Sequence, residues 1–168
     1  MKLESIKIGR IVNAHGINGE VRVQPAERDP QFLTQCKTFY LDGKPVTPTA
    51  NHVHKSLVLM KFPGVDDMNA ALALREKDLY LRRADAPLPA GEYFAQELLG
   101  LNVFDAATGA LLGELVLVED YPAHQVYTVR GEREYLVPAV PEVFIKSVDL
   151  EQNRMEIHVW EGLATDEH

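Results

Sequence analysis

Cys36 is the only cysteine in 168 residues, so no intramolecular disulfide and no cysteine-based metal site can form. No stretch approaches the roughly 18 apolar residues that a membrane-spanning helix needs. The opening Met1-Lys2-Leu3-Glu4-Ser5 leads straight into an alternating run and lacks a secretory signal's apolar segment. A cytoplasmic protein without membrane association is the expectation. Two catalytic signatures are also missing: no Gly-x-Ser-x-Gly nucleophile elbow occurs, and no Gly-x-x-x-x-Gly-Lys-[Ser/Thr] phosphate loop. With neither a nucleophile–base pair nor a metal set in view, the expectation is a protein without enzymatic activity, cofactor or metal.

Positive charge is scarce in one place only. Residues 89–168 carry four Lys and Arg against 15 Asp and Glu, a net of −11, and Lys146 is their only lysine. Residues 1–88 carry 13 Lys and Arg against 10 Asp and Glu, a net of +3. The overall −8 argues against a protein that coats naked nucleic acid. The split suggests two modules facing different partners, an acidic half suited to a basic protein and a mildly basic half able to meet phosphate. The alternative is an acidic surface that serves solubility alone.

What is present is soluble, globular and mostly strand-forming, with 46% hydrophobic and 25% charged residues. Ile6, Ile8 and Ile11 before His15-Gly16, and Val21 and Val23 after Gly19, alternate as core-facing strand positions, predicting strands over 5–13 and 20–24. Gly16 and Asn18-Gly19 supply the turn between them. This tip projects His15, Asn18 and Arg22, a solvated hairpin end on one reading and a recognition edge on the other. Asp29-Pro30 caps a short helical turn through Gln35. Thr38–Leu41, Lys44–Val46 (after an Asp42-Gly43 turn), Thr49–His54, Leu57–Phe62 and Asp78–Arg82 read as strands. Val65, Met68, Ala71 and Leu72 sit at helical spacing behind Asp66 and Asp67. A small closed barrel with one helix suits this pattern.

Arg82 to Gly91, with two prolines and a glycine, reads as a linker. Beyond it, Gly91–Gly100 is a short amphipathic piece. Leu101–Phe104, Ala110–Val118 (bent at Gly113), Gln125–Arg130, Tyr135–Val137, Val143–Asp149 and Arg154–Trp160 read as strands of a second small barrel. In the last of these Met155, Ile157 and Val159 face inward while Glu156 and His158 face out. His52 and His54 share a strand face, a spacing that suits metal, but with no carboxylate nearby two surface histidines are the stronger reading.

Four blocks carry a family resemblance over nearly the whole chain. Gly9-Arg10-Ile11 through His15-Gly16 to Gly19-Glu20-Val21-Arg22-Val23 is the first. Gly64–Leu81, with Ala70, Leu74 and Leu79-Tyr80, is the second. Glu92-Tyr93-Phe94 through Leu98-Leu99-Gly100 is the third. Leu136-Val137-Pro138-Ala139-Val140-Pro141-Glu142-Val143, followed by Val148-Asp149-Leu150 and Glu161-Gly162-Leu163, is the fourth. In this order and spacing they resemble the ribosome maturation factor RimM family, whose members are 16S rRNA processing proteins. The resemblance implies a mainly β fold of two small β-barrels, a translation-factor-like N-terminal barrel over 1–88 and a PRC-type barrel over 98–168, joined by a linker at 89–97. It implies a non-enzymatic assembly factor, or chaperone, for the small (30S) ribosomal subunit that acts on its head and supports 16S rRNA maturation. The implied partners are the strongly basic ribosomal protein nineteen of the small subunit and the adjacent rRNA.

The family's junction carries two consecutive tyrosines tied to ribosome association, which makes Tyr93 and Phe94 the expected ribosomal-protein-binding residues. Phe94 departs from the second tyrosine by losing a hydroxyl, and Ala95 and Glu97 depart from an aromatic and an aspartate nearby. The alternative is that both rings pack between the two barrels and fix their orientation. Arg10, His15 and Arg22 are the candidate rRNA-facing residues, on their charge and the exposure expected of the hairpin. An RNA-contacting accessory of translation, directed at tRNA or rRNA, and a PRC-type structural or electron-transport module are the rival readings. A monomer is the default expectation.

Overall fold

Two runs of short strands divide the chain, the first interrupted by two short helices and the second preceded by one. The computed structural model describes residues 1–165, which form two compact units, Leu3–Glu92 and the segment from Tyr93 onward together with Met1–Lys2. Among the described residues no helix is long and apolar enough to cross a membrane.

The first unit contains β1 (Ser5–His15), β2 (Glu20–Pro25), α1 (Pro30–Thr34), β3 (Phe39–Leu41), β4 (Lys44–Val46), β5 (Ala50–His54), β6 (Leu57–Lys61), α2 (Met68–Leu72) and β7 (Asp78–Arg82). Its strands form one antiparallel sheet ordered β4-β3-β7-β1-β2-β6-β5. Alternation does what the sequence requires of it: Ile6, Ile8, Ile11, Val21 and Val23 are all fully buried. β1 pairs with neighbours on both sides, and its register slips against β7 between Lys7 and Gly9 and against β2 between Ile11 and Asn13. Such bulges bend a strand and curl its sheet. The sheet is a half-barrel with β4 and β5 at its edges.

Both helices start where an aspartate can accept orphan backbone N–H groups. Asp29 Oδ1 accepts from the Phe32 amide at 3.0 Å, with Pro30 at the first helical position, and Phe32 and Leu33 turn into the core. Asp67 Oδ1 accepts from the Ala70 amide at 2.8 Å. α2 is shorter than its periodicity predicts. It begins at Met68, leaving Val65 in the preceding loop, because Asp67 is already the extended cap residue.

The second unit contains α3 (Ala95–Leu98), β8 (Asn102–Asp105), β9 (Leu111–Asp120), β10 (Gln125–Arg130), β11 (Glu134–Pro138), β12 (Ile145–Asp149) and β13 (Arg154–Ile157). The sheet order is β11-β10-β9-β8-β13-β12, antiparallel except for the β8–β13 pair. Leu101, Val103, Leu115, Val129, Val137, Met155 and Ile157 form its fully buried core. Gly113 marks the expected bend: a Cβ there would stand 2.4 Å from the Arg130 carbonyl oxygen, and one at Gly131 would stand 2.1 Å from the Leu112 carbonyl oxygen. Two backbones meet at a distance only glycine allows.

Two strand ends differ from expectation. Val143 and Phe144 form a turn before β12, and β13 stops at Ile157. Val159, expected to face inward, is 41% exposed. Its neighbour Trp160 explains this: the indole Nε1–H donates to the Val143 carbonyl at 2.9 Å and the ring packs edge-on against Phe144. These contacts pull the chain out of the ladder where alternation would have continued it.

Candidate functional site

The β1–β2 turn is built by glycine. Gly16 (φ 73°) and Gly19 (φ 93°) occupy the left-handed region, and a Cβ on Gly19 would lie 2.1 Å from the Val65 carbonyl oxygen. The turn therefore rests directly on the 65–66 backbone, which the Lys61 ammonium also holds through the Val65 carbonyl and through Asp66 Oδ1, the latter at 2.8 Å.

At the base of this turn His15 and Arg22 come together. Arg22 Nε donates to His15 Nδ1 at 3.2 Å, so that nitrogen is an acceptor and the ring proton sits on Nε2. A third side chain joins them: the His54 ring, at the end of β5, lies with its centroid 5.5 Å from that of His15, tilted by 55°. Sequence spacing pairs His54 with His52 because the two share a strand face. The tertiary fold instead brings it to a residue on β1, and no periodicity records that meeting. Arg10, grouped with His15 and Arg22 by charge, stands elsewhere. Its Nη1 lies 3.3 Å from Asp78 Oδ1, an oxygen that Lys7 also approaches at 3.4 Å. Cross-strand register (Arg10 opposite Asp78) makes that pair. Among the described residues no group of three or more His, Cys, Asp or Glu side chains is arranged to hold a metal ion.

Tyr93 and Phe94 separate in role. Tyr93 is half-buried, packed against the core of the second unit. Phe94 is 0% exposed. Its amide donates to Glu97 Oε2 at 2.9 Å and its carbonyl accepts from the Glu97 amide at 3.0 Å. Glu97, itself buried, thus closes the first turn of α3 and holds Phe94 at its start. A partner can touch Tyr93 directly, whereas the Phe94 ring acts from inside.

The surface that the sequence did not single out lies on β9, β10 and β11. Thr128 is in register with Leu117 on one side and Leu136 on the other. Both leucines stand open, at 46% and 40% exposed, while Thr128 between them is 4% exposed. The flanking rows are Glu119–Val126–Pro138 and Glu114–Arg130–Glu134, the last two joined by an ion pair at 3.2 Å. An apolar row rimmed by carboxylates fits a basic surface carrying an apolar anchor. Alternation along β9 hints at Leu117, but only the register of three strands assembles the row.

Comparison with known proteins agrees with this architecture. Residues 6–86 match the RimM N-terminal domain and residues 95–163 the RimM PRC barrel domain. A ribosome maturation factor RimM from Acetivibrio thermocellus is 37% identical, the match covering 98% of this chain and 99% of the relative. The protein of the same description from Symbiobacterium thermophilum is 38% identical over 96% of this chain and 95% of its own. That from Clostridioides difficile is 35% identical over 96% and 97%. With both domain models matched in order along the chain and relatives this similar over nearly its whole length, the chain belongs to the ribosome maturation factor RimM family.

Proposed function

We propose that this chain is a non-enzymatic assembly factor of the cytoplasm that supports maturation of the small ribosomal subunit and its 16S rRNA. The relatives described as ribosome maturation factors support the process. The observation that carries the mechanism is the pair of exposed leucines, Leu117 and Leu136, on either side of buried Thr128 and flanked by glutamates, set on the half of the chain whose net charge is −11. Such a surface suits a strongly basic protein: steering by the carboxylates brings the partner in, and apolar burial holds it. We identify that partner with ribosomal protein nineteen of the small subunit, bound by the barrel over 98–168 and by the 89–97 linker. There Tyr93 touches the partner and Phe94 sets its position from within. The first barrel, over 1–88, then faces rRNA through Arg10, His15 and Arg22, its net charge of +3 making that approach favourable.

Binding without bond-making follows from what this reading asks of the protein. It holds one protein and one RNA segment in a shared geometry, and no step needs a nucleophile or a proton transfer. Co-sedimentation of the full-length chain with free small subunits but not with complete ribosomes tests the reading, together with titration against the purified ribosomal protein. The expected result is co-sedimentation, with salt-sensitive binding of that protein. Tight binding to free RNA at physiological salt, with no affinity for the protein, would instead favour an RNA-contacting accessory of translation.

A further inference from the structure

We propose that His15, Arg22 and His54 form a phosphate cradle through which the first barrel grips the backbone of RNA; that the anion belongs to RNA rests on the assembly reading above.

Three observations carry it. The first is convergence. The side chains come from β1, its neighbour β2, and β5, which β6 separates from β2 in the sheet; Arg22 bonds His15 at 3.2 Å and the His54 ring stands 5.5 Å from that of His15. The second is the direction of the bonds. Arg22 spends only its Nε–H on His15, so the terminal fork of its guanidinium is left to bind an acceptor. By accepting at Nδ1, His15 presents Nε2 as a donor. Donors organised in this way, with the arginine held by a neutral base, meet a tetrahedral anion without first having to be ordered.

The third is charge. Lys7 and Arg10 share Asp78, Arg28 faces Glu92, Lys61 faces Asp66, and Lys77 faces Asp42. Among the described residues no carboxylate is bonded to Arg22. Glu20 lies opposite His15 across the β1–β2 ladder and is the nearest acidic position in register, but it forms no ion pair with Arg22. Arg22 is therefore a positioned cation whose charge the fold does not neutralise. The turn beneath it is stiffened by the contact of Gly19 with the 65–66 backbone. Lys55, exposed at the end of the same β5–β6 hairpin, adds positive charge beside His54. A phosphodiester, with two anionic oxygens, matches a guanidinium fork and imidazole N–H donors better than a neutral acceptor does.

Two measurements on the full-length chain test this. In the first, a transcript of the small-subunit rRNA head domain is titrated across a salt series by filter binding. Arg22→Gln is expected to weaken binding about tenfold and to lower the slope of log affinity against log salt by about 1. Arg22→Lys keeps the charge without the fork, so it should retain the slope while losing about threefold in affinity. His54→Ala should lose about threefold. Unchanged affinity and slope in a folded Arg22→Gln protein would overturn the cradle.

In the second, inorganic phosphate is titrated while the imidazole resonances are followed by NMR. His15 and His54 should shift in the wild type and not in Arg22→Gln. If the chain co-sediments with small subunits but phosphate moves neither ring, the cradle is wrong and the assembly reading stands. If phosphate moves both rings but the chain binds neither rRNA nor small subunits, the RNA assignment and the assembly reading fall together.

Discussion

The two units of this chain use the same architecture and treat charge in opposite ways. Each is a small, bulged, mainly antiparallel sheet over an apolar core. In the first, Asp78 answers both Lys7 and Arg10, and Asp66, Asp42 and Glu92 answer Lys61, Lys77 and Arg28 from within. In the second, residues 93–168 set four basic side chains against 14 carboxylates in the sequence, so most acidic groups have no internal counter-charge to meet. Net charge alone describes the first unit as mildly basic. The structure separates the cations held by carboxylates from Arg22, which bonds a histidine instead. For the second unit the reverse holds: carboxylates are abundant, and what distinguishes a surface among them is the apolar row they surround.

The sharpest way to break this comparison is to remove what is hidden rather than what is exposed. Phe94→Ala is expected to cost about 3–5 kcal/mol of stability, read from urea unfolding, because a fully buried ring leaves both lost contacts and a cavity. Tyr93→Ala should cost less stability and lose affinity for the ribosomal protein. If instead Phe94→Ala left stability unchanged while abolishing binding, the division of roles between the two rings would be wrong.

Gly131→Ala comes next. Its methyl group would meet the Leu112 carbonyl, and relieving that contact requires moving one backbone away from another, a loss of about 2–3 kcal/mol. Gly109→Ala, at a position where a Cβ meets nothing within 4 Å, isolates the steric term from the effect of a positive φ (76°). Gly131 lies outside the positive-φ region, so its loss in denaturation midpoint reads the close approach, and that of Gly109→Ala reads the backbone conformation.

The first unit has its own buried probe. Burial pushes the Cys36 thiol up from its ordinary value near 9 to about 11, with Sγ donating to the Phe32 carbonyl at 3.4 Å. Above pH 9 the unfolded chain loses this proton while the folded chain keeps it, so stability falls as pH rises. The contribution is whole below pH 9 and is lost through pH 11, about 2 kcal/mol in all. Urea unfolding of wild type and Cys36→Ala at pH 8 and pH 11 should show a steeper alkaline loss in the wild type. Equal losses would show that the thiol is not shielded.

The double substitution Leu117→Ala with Leu136→Ala addresses the second unit's surface. It should weaken binding of the basic ribosomal protein by about tenfold, roughly 1.4 kcal/mol, with a smaller change in stability because both side chains are already open to water. Unchanged affinity, measured by calorimetry, would move the docking surface off β9–β11. Smallest of all, Asp29→Ala and Asp67→Ala should each remove about 1 kcal/mol by uncapping α1 and α2.

Local chemistry accounts for what could be read in advance. Asp29-Pro30 caps and starts α1 because the aspartate carboxylate and the fixed φ of proline act within three residues of themselves. Asp42-Gly43 turns β3 into β4, and Asp78–Arg82 alternates as a strand, for reasons equally short in range. What local patterning leaves open or gets wrong is settled by long-range contacts. Val159 satisfies the alternation yet leaves the ladder because Trp160 finds a carbonyl 17 residues back. Of the two readings open for Phe94, surface anchor or packed ring, the fold buries the ring. His54 shares an exposed strand face with His52, and the ring it meets is that of His15 on β1.

By itself, then, the sequence determined the mainly β class, the turn and cap positions, the division of charge between the two halves and, through its four blocks, the family. These depend on residues close together in the chain or on motif order. Only the tertiary structure decided which charges stay unanswered and which apolar groups stay uncovered. Pairing Arg10 with Asp78, bringing His54 to Arg22's histidine and aligning Leu117, Thr128 and Leu136 all follow from strand register and sheet curvature. A period of two says which face a side chain takes, but not what stands beside it across the sheet.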